Sequence, residues 1–221
     1  VPSSGPVILV ANHRSYFDVF AVAMMVSKTG RTVRFLGKKE VFDAPLVGQL
    51  ASLLGGIRVD RTSGSDEPLE YAAAALQSGE MVALMPQGTI PRGLEFFNPQ
   101  MQGRWGAARL AVQTNATVIP IGLWGTEKVW PRSAKLPDIL NLSNPPLVSI
   151  TVGAPVELDR TGNSDEIIAA NTQAIMNAIS ALLPADAREE RTPTDDELRA
   201  TFPASYSGDL RVDTTRRPGT D

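Results

Sequence analysis

The sequence predicts an α/β fold: a single layered domain with a mostly parallel central sheet flanked by helices, and a charged C-terminal tail. Three observations predict it. Short apolar runs of strand length alternate with stretches of helical periodicity as far as residue 183. The first run, Val7–Ala11, is apolar at every position, as expected of a strand covered on both faces. The helical stretches between the runs are long enough to serve as crossovers between parallel neighbours.

The elements follow in order. Val7–Ala11 is the first strand. Asp18 is expected to cap a helix over Val19–Lys28 that stops near Gly30. Thr32–Gly37 and Ile57–Val59 read as strands on either side of an apolar helix, Ala44–Leu54, closed by Gly55-Gly56. Pro68 stands at a first helical position ahead of Leu69–Ser78, with Gly79 as the stop. Met81–Met85 is a fourth strand, and a long loop bearing Gly, Pro and Asn runs from it to Gly103. Arg104–Gln113 reads as helix, and Thr117–Leu123 and Leu147–Val152 as strands. Ser164, followed by Asp165 and Glu166, opens a long helix to Leu183. These elements make a domain over 1–183. Residues 184–221 are rich in Arg, Asp, Glu, Thr and Pro, and are expected to be extended, partly disordered or draped over the surface.

Composition narrows the chemistry. The 221 residues hold no cysteine and one histidine, His13. Disulfides, thiolate metal sites and a cysteine nucleophile are excluded, and no metal site is expected. The net charge of −3 is unevenly spread. Residues 1–61 carry eight Lys/Arg against four Asp/Glu, whereas residues 62–183 carry seven against eleven. The basic third also holds His13, and it would draw an anionic substrate or membrane surface. Nothing interleaves basic and aromatic residues as nucleic-acid binders do. No GxxxxGK[ST] phosphate loop appears. The longest apolar run near the start, Val19–Val26, falls short of a bilayer span, and no secretory signal is visible.

His13 is the residue best suited to accepting a proton near neutral pH, and Asp18, five positions on, is placed to orient it. Ser15 is a candidate nucleophile or substrate contact or, with a helix starting close by, a backbone cap. Arg61 ends a strand in the basic third, where a guanidinium fork can grip a phosphate. Pro86-Gln87-Gly88-Thr89 follows a strand directly, and Gly88 permits close backbone approach to a ligand. The apolar helix 44–54 and the loop residues Leu94, Phe96, Phe97 and Trp105 are candidates to line an apolar channel or enter a membrane surface. Lys38 and Lys39 read as a solvated face, with lipid or coenzyme phosphates as the alternative partners.

Four segments, taken together and in order, resemble the motifs of the glycerophospholipid acyltransferase family. Asn12-His13-x-Ser15-x-x-Asp18 is similar to its first motif, and Gly56–Arg61 resembles the second, an apolar strand ending in Asp-Arg. Met85-Pro86-Gln87-Gly88-Thr89 resembles the third, usually Phe-Pro-Glu-Gly-Thr-Arg, and Val118-Ile119-Pro120-Ile121 the fourth. The resemblance covers residues 7 to about 155. It implies transfer of an acyl group from acyl-CoA to a lysophospholipid hydroxyl, with 1-acyl-sn-glycerol-3-phosphate as first-choice acceptor and phosphatidic acid as product. His13 would then be the base, Asp18 its partner and Arg61 a phosphate ligand. Pro86, Gln87, Gly88 and Thr89 would wall the acceptor site, with the Gly88 N–H facing a ligand oxygen or the oxyanion. No cofactor is expected beyond acyl-CoA as co-substrate. The expected setting is the cytoplasmic side of the cell membrane, peripheral or anchored by a segment outside this chain. Two positions depart from the motif: Gln87 stands for Glu, and Ile90 for an Arg that contacts the acceptor's phosphate. Arg92 and Arg104 are the expected substitutes. The alternatives are another lysolipid or glycolipid acceptor, a hydrolase using the same base on water, or a non-catalytic lipid-binding module.

Overall fold

Val7–Ala11 (β1) lies inside a six-stranded sheet. The other strands are Val33–Lys38 (β2), Ile57–Val59 (β3), Met81–Leu84 (β4), Thr117–Trp124 (β5) and Ser149–Val152 (β6). Their order is β3-β2-β4-β1-β5-β6, and among the described residues β5–β6 is the one antiparallel pair. The structure is a computed structural model describing residues 1–38, 43, 56–59, 67–141 and 143–211. The helix expected over 44–54, Lys39, Asp60 and Arg61 lie outside those residues, as do 212–221.

The buried, fully apolar β1 follows from its position between β4 and β5, with helices on both faces. Val7, Leu9 and Ala11 face the helix Asp18–Ser27 (α1) through Ala21, Val22 and Val26. Ile8 and Val10 face the opposite layer, built by Glu67–Gln77 (α2), Gly106–Thr114 (α3) and Asp165–Ala181 (α5). Ser164 caps α5 as expected, its side chain accepting from the Ile167 N–H. Asp18 caps nothing: Phe17 is the N-cap residue of α1, and the Asp18 carboxylate is engaged by the preceding loop. Two short elements went unanticipated, a 3-10 helix over Gly93–Phe97 and the four-residue helix Thr126–Val129 (α4).

The segment after Pro184, expected to be extended, partly disordered or draped over the surface, is described as far as residue 211. It forms the short helices Ala185–Arg188 (α6) and Asp195–Ala200 (α7), and buries Leu198 and Phe202 completely. A capping box starts α7: Thr194 Oγ1 accepts from the Glu197 N–H while the Glu197 carboxylate accepts from the Thr194 N–H. The chain is then fixed to the 3-10 helix, where the Gly93 N–H donates to Thr201 Oγ1 at 2.9 Å. Burying one leucine and one phenylalanine contributes about 1.5–3 kcal/mol each, enough to hold a short segment despite its charged composition.

Because β4, β1 and β5 are parallel neighbours, their C-terminal ends share one edge of the sheet. The residues after those ends are 12–17, 85–92 and 125–130. Ligands of such sheets bind at this edge.

Candidate active site

Asn12 continues the β1 ladder with its side chain. Its amide nitrogen donates to the Leu123 carbonyl at 2.8 Å, and its amide oxygen accepts from the Leu123 N–H at 2.7 Å. This double bond fixes where the chain leaves the sheet, one residue before His13. The His13 backbone N–H then donates to Gln87 Oε1 at 2.7 Å, tying the loop after β1 to the loop after β4.

His13 Nδ1 lies 2.8 Å from Asp18 Oδ2. The same oxygen accepts from the backbone N–H groups of Arg14 at 2.6 Å and Ser15 at 2.8 Å. An oxygen that receives two backbone N–H groups is acting as an acceptor, so the Nδ1 contact is satisfied by a proton on Nδ1. That tautomer leaves the Nε2 lone pair for a substrate proton. The Asp18 carboxylate is wholly buried, whereas the imidazole is 20% exposed and lines a cleft at the sheet edge. A base and its orienting group can take such an arrangement.

Ser15 is held by backbone contacts. Its hydroxyl is buried, donates to the Trp130 carbonyl at 2.7 Å and accepts from the Phe17 N–H at 2.9 Å. It therefore acts as the backbone cap that was one of its sequence readings. The turn after β4 is tight. Gly88 has φ +72°, and its N–H donates to the Met85 carbonyl at 2.8 Å. Glycine is required there for two reasons. The backbone is left-handed, and a Cβ would stand 2.8 Å from the Arg104 side chain. Pro86 is buried, and its carbonyl accepts from the Arg104 N–H at 2.8 Å. Thr89 lies half-buried on the same turn. Gln87 is the motif residue that reaches the cleft, beside His13. Its amide oxygen does what a glutamate oxygen would do for the His13 N–H, which explains how the motif survives the exchange.

No sequence signal marked Arg14. Its guanidinium is sandwiched between the rings of Phe96 at 4.1 Å and Trp124 at 4.5 Å, and its Nε lies 3.2 Å from Glu127 Oε2. Phe96 is accordingly buried beneath Arg14 rather than offered to a membrane, and Phe97 stacks under Arg191 at 4.7 Å. Leu94 and Trp105 remain exposed. Arg191, Asp186 and Ala187 from the segment after residue 183 line the cleft with His13, so the presumed tail forms one of its walls. A visible signal for this was the Thr194-x-x-Glu197 capping pattern ahead of Leu198. Arg92 enters the 3-10 helix as its N-cap residue and carries a buried, unpartnered Nε. Among the described residues no group of three His, Cys, Asp or Glu side chains is placed to hold a metal.

A His–Asp pair thus stands beyond the central strand of a mostly parallel sheet, beside a cleft. Comparison makes the class specific. The acyltransferase family pattern matches residues 1–124, and the chain belongs to that family. A chloroplastic 1-acyl-sn-glycerol-3-phosphate acyltransferase of Arabidopsis thaliana is 27% identical over 159 residues, 71% of this chain and 41% of that protein. An uncharacterized protein of Mycobacterium leprae is 30% identical over 159 residues, covering 68% and 41%. The chain thus spans about two fifths of the length of these relatives. The crystal structure of the 1-acyl-sn-glycerophosphate acyltransferase PlsC from Thermotoga maritima superposes with a TM-score of 0.52 at 21% identity. It covers 82% of this chain and 68% of that one, and the two share the fold.

Proposed function

We propose that this protein transfers an acyl group from acyl-CoA to the hydroxyl of a lysophospholipid, with 1-acyl-sn-glycerol-3-phosphate the first-choice acceptor. The observation that carries this reading is the Asp18–His13 contact at 2.8 Å, which leaves Nε2 facing the cleft. Nε2 takes the proton of the acceptor hydroxyl as that oxygen attacks the thioester carbonyl. Asp18 stabilises the imidazolium so formed. A new C–O bond closes the tetrahedral intermediate. Its collapse breaks the C–S bond, and the departing thiolate recovers the proton from Nε2. Base catalysis of this kind contributes about 10²–10⁴-fold. With no cysteine in the chain and Ser15 committed to backbone, direct attack is favoured over an acyl-enzyme.

A lipid surface is the proposed setting. No helix among the described residues is long and apolar enough to cross a membrane. The connection from α4 to β6, however, exposes Leu136, Ile139, Leu140 and Leu147 to between 62 and 85%. Such a cluster on one loop supports shallow insertion among lipid headgroups.

The test is thiol release from palmitoyl-CoA with and without lysophosphatidic acid. Because the protein holds no cysteine, every free thiol detected is coenzyme A. Acceptor-dependent release that disappears in His13→Ala is expected. Release that needs no acceptor identifies a hydrolase, and undiminished turnover in His13→Ala removes the proposed base.

A further inference from the structure

Beside the His13 cleft two arginines, Arg92 and Arg132, lie near one another with no counter-ion among the described residues. Arg92 follows Pro91, which lines the cleft. Arg132 comes from the opposite side, on the connection after α4, and its Nη1 donates to the Ile90 carbonyl at 3.2 Å. Its guanidinium carbon lies 6.0 Å from the ring of Tyr16, in the same loop as His13. Neither arginine has a carboxylate partner among the described residues, and the Nε atoms of both are buried without an acceptor. The Arg132 pKa is lowered by burial first, with the charge of Arg92 acting the same way and Tyr16 opposing it.

Two like charges held together with unpartnered donors form an arrangement that an anion stabilises and solvent alone does not. The anion must match both the charge and the geometry. A carboxylate brings one charge and two oxygens. A phosphate monoester brings close to two charges and three acceptor oxygens, enough for N–H groups from both forks.

We propose that Arg132 and Arg92 together bind a phosphate monoester, and that Arg132, outside every motif read from the sequence, sets the preference for a phosphorylated acceptor. The inference rests on the acyl-transfer reading of the cleft. One phosphate chemistry has three possible sources: the lysolipid headgroup, the 3′-phosphate of coenzyme A and free phosphate.

The variants are Arg132→Gln and Arg92→Gln, which retain polar length without charge, and Arg132→Lys, which restores charge without the fork. Steady-state kinetics would compare lysophosphatidic acid with monoacylglycerol, and acyl-CoA with acyl-dephospho-CoA. The expected result is a loss of at least tenfold in the preference for lysophosphatidic acid over monoacylglycerol in each Gln variant. It should be carried by KM and partly restored in Arg132→Lys. A loss confined to the preference for acyl-CoA over its dephospho form supports the phosphate site and assigns it to the coenzyme.

Calorimetric titration of the unmutated protein and the Gln variants with inorganic phosphate and with lysophosphatidic acid needs no turnover. It therefore tests the site even if the acyl-transfer reading fails. Phosphate binding weakened at least tenfold in both Gln variants supports the proposal. Unchanged preferences and unchanged phosphate affinity in variants that melt cooperatively like the parent overturn it.

Discussion

Replacing Asp18 by Asn removes one charge from a wholly buried position while keeping the shape of the side chain. Asp18 Oδ2 accepts three hydrogen bonds, from His13 Nδ1, the Arg14 N–H and the Ser15 N–H, at 2.6–2.8 Å. Hydrogen bonds to a charged acceptor contribute roughly 1.5–3 kcal/mol and neutral ones roughly 0.5–1.5. Each of the three therefore loses about 1 kcal/mol, about 3 kcal/mol in all. At about 2–4 °C per kcal/mol for a chain of this size, the melting temperature falls by about 6–12 °C.

Catalysis loses more than stability does. The asparagine oxygen can still receive the Nδ1 proton, so the tautomer persists, but the imidazolium formed in the transition state has no anion beside it. A fall in kcat/KM of about 10²–10⁴-fold is expected. Thiol release from acyl-CoA gives the rate and calorimetry the stability. The double variant His13→Ala/Asp18→Asn should be no slower than His13→Ala, because the two residues act as a unit. An Asp18→Asn protein that melts lower as calculated yet keeps its kcat/KM within threefold would refute the reasoning. Asp18 would then be only a pin for the loop.

Three further outcomes are expected. Gln87→Leu strands the His13 N–H and should cost about 1–3 kcal/mol of stability along with most activity, whereas Gln87→Glu keeps the acceptor and should melt close to the parent; equal damage in both removes the proposed strut. Glu197 is held down to about 2, mainly by Arg191 and then by the Thr194 N–H, below its usual 4.5. Because the folded value is the lower one, its contribution is complete above about pH 4.5 and is lost as pH falls toward 2; cleavage of the 184–211 segment by pepsin should rise over that interval, and Glu197→Gln should abolish the step. Finally, Leu136→Ser/Leu140→Ser should weaken sedimentation with anionic vesicles by tenfold or more, since each inserted leucine contributes about 1.5–3 kcal/mol; unchanged sedimentation would place the lipid contact elsewhere.

The layered architecture was legible because burial on both faces leaves its mark in the local pattern. Val7–Ala11 reads as a central strand from five consecutive apolar residues, and Ser164 reads as a cap from the acidic turn after it. The His13–Asp18 pair was legible because five residues of loop and first turn bring the two side chains together locally. The setting of Gly88 was not legible because a glycine in a turn reads the same whether its N–H faces a ligand or the Met85 carbonyl. The burial of Leu198 and Phe202 was not legible because average composition hid these two residues among the charges.

By itself the sequence determined what short-range physics encodes: the strand and helix order, the parallel sheet, and a base with its carboxylate within one loop. The tertiary structure alone decided what depends on residues far apart in the chain. It put Arg14 between Phe96 and Trp124, joined the His13 backbone to Gln87, brought Arg132 to Ile90 and folded Arg191 against the cleft. Those contacts span roughly 40 to 180 residues. No local periodicity marks them, because they exist only once parallel strands have gathered their ends at one edge of the sheet.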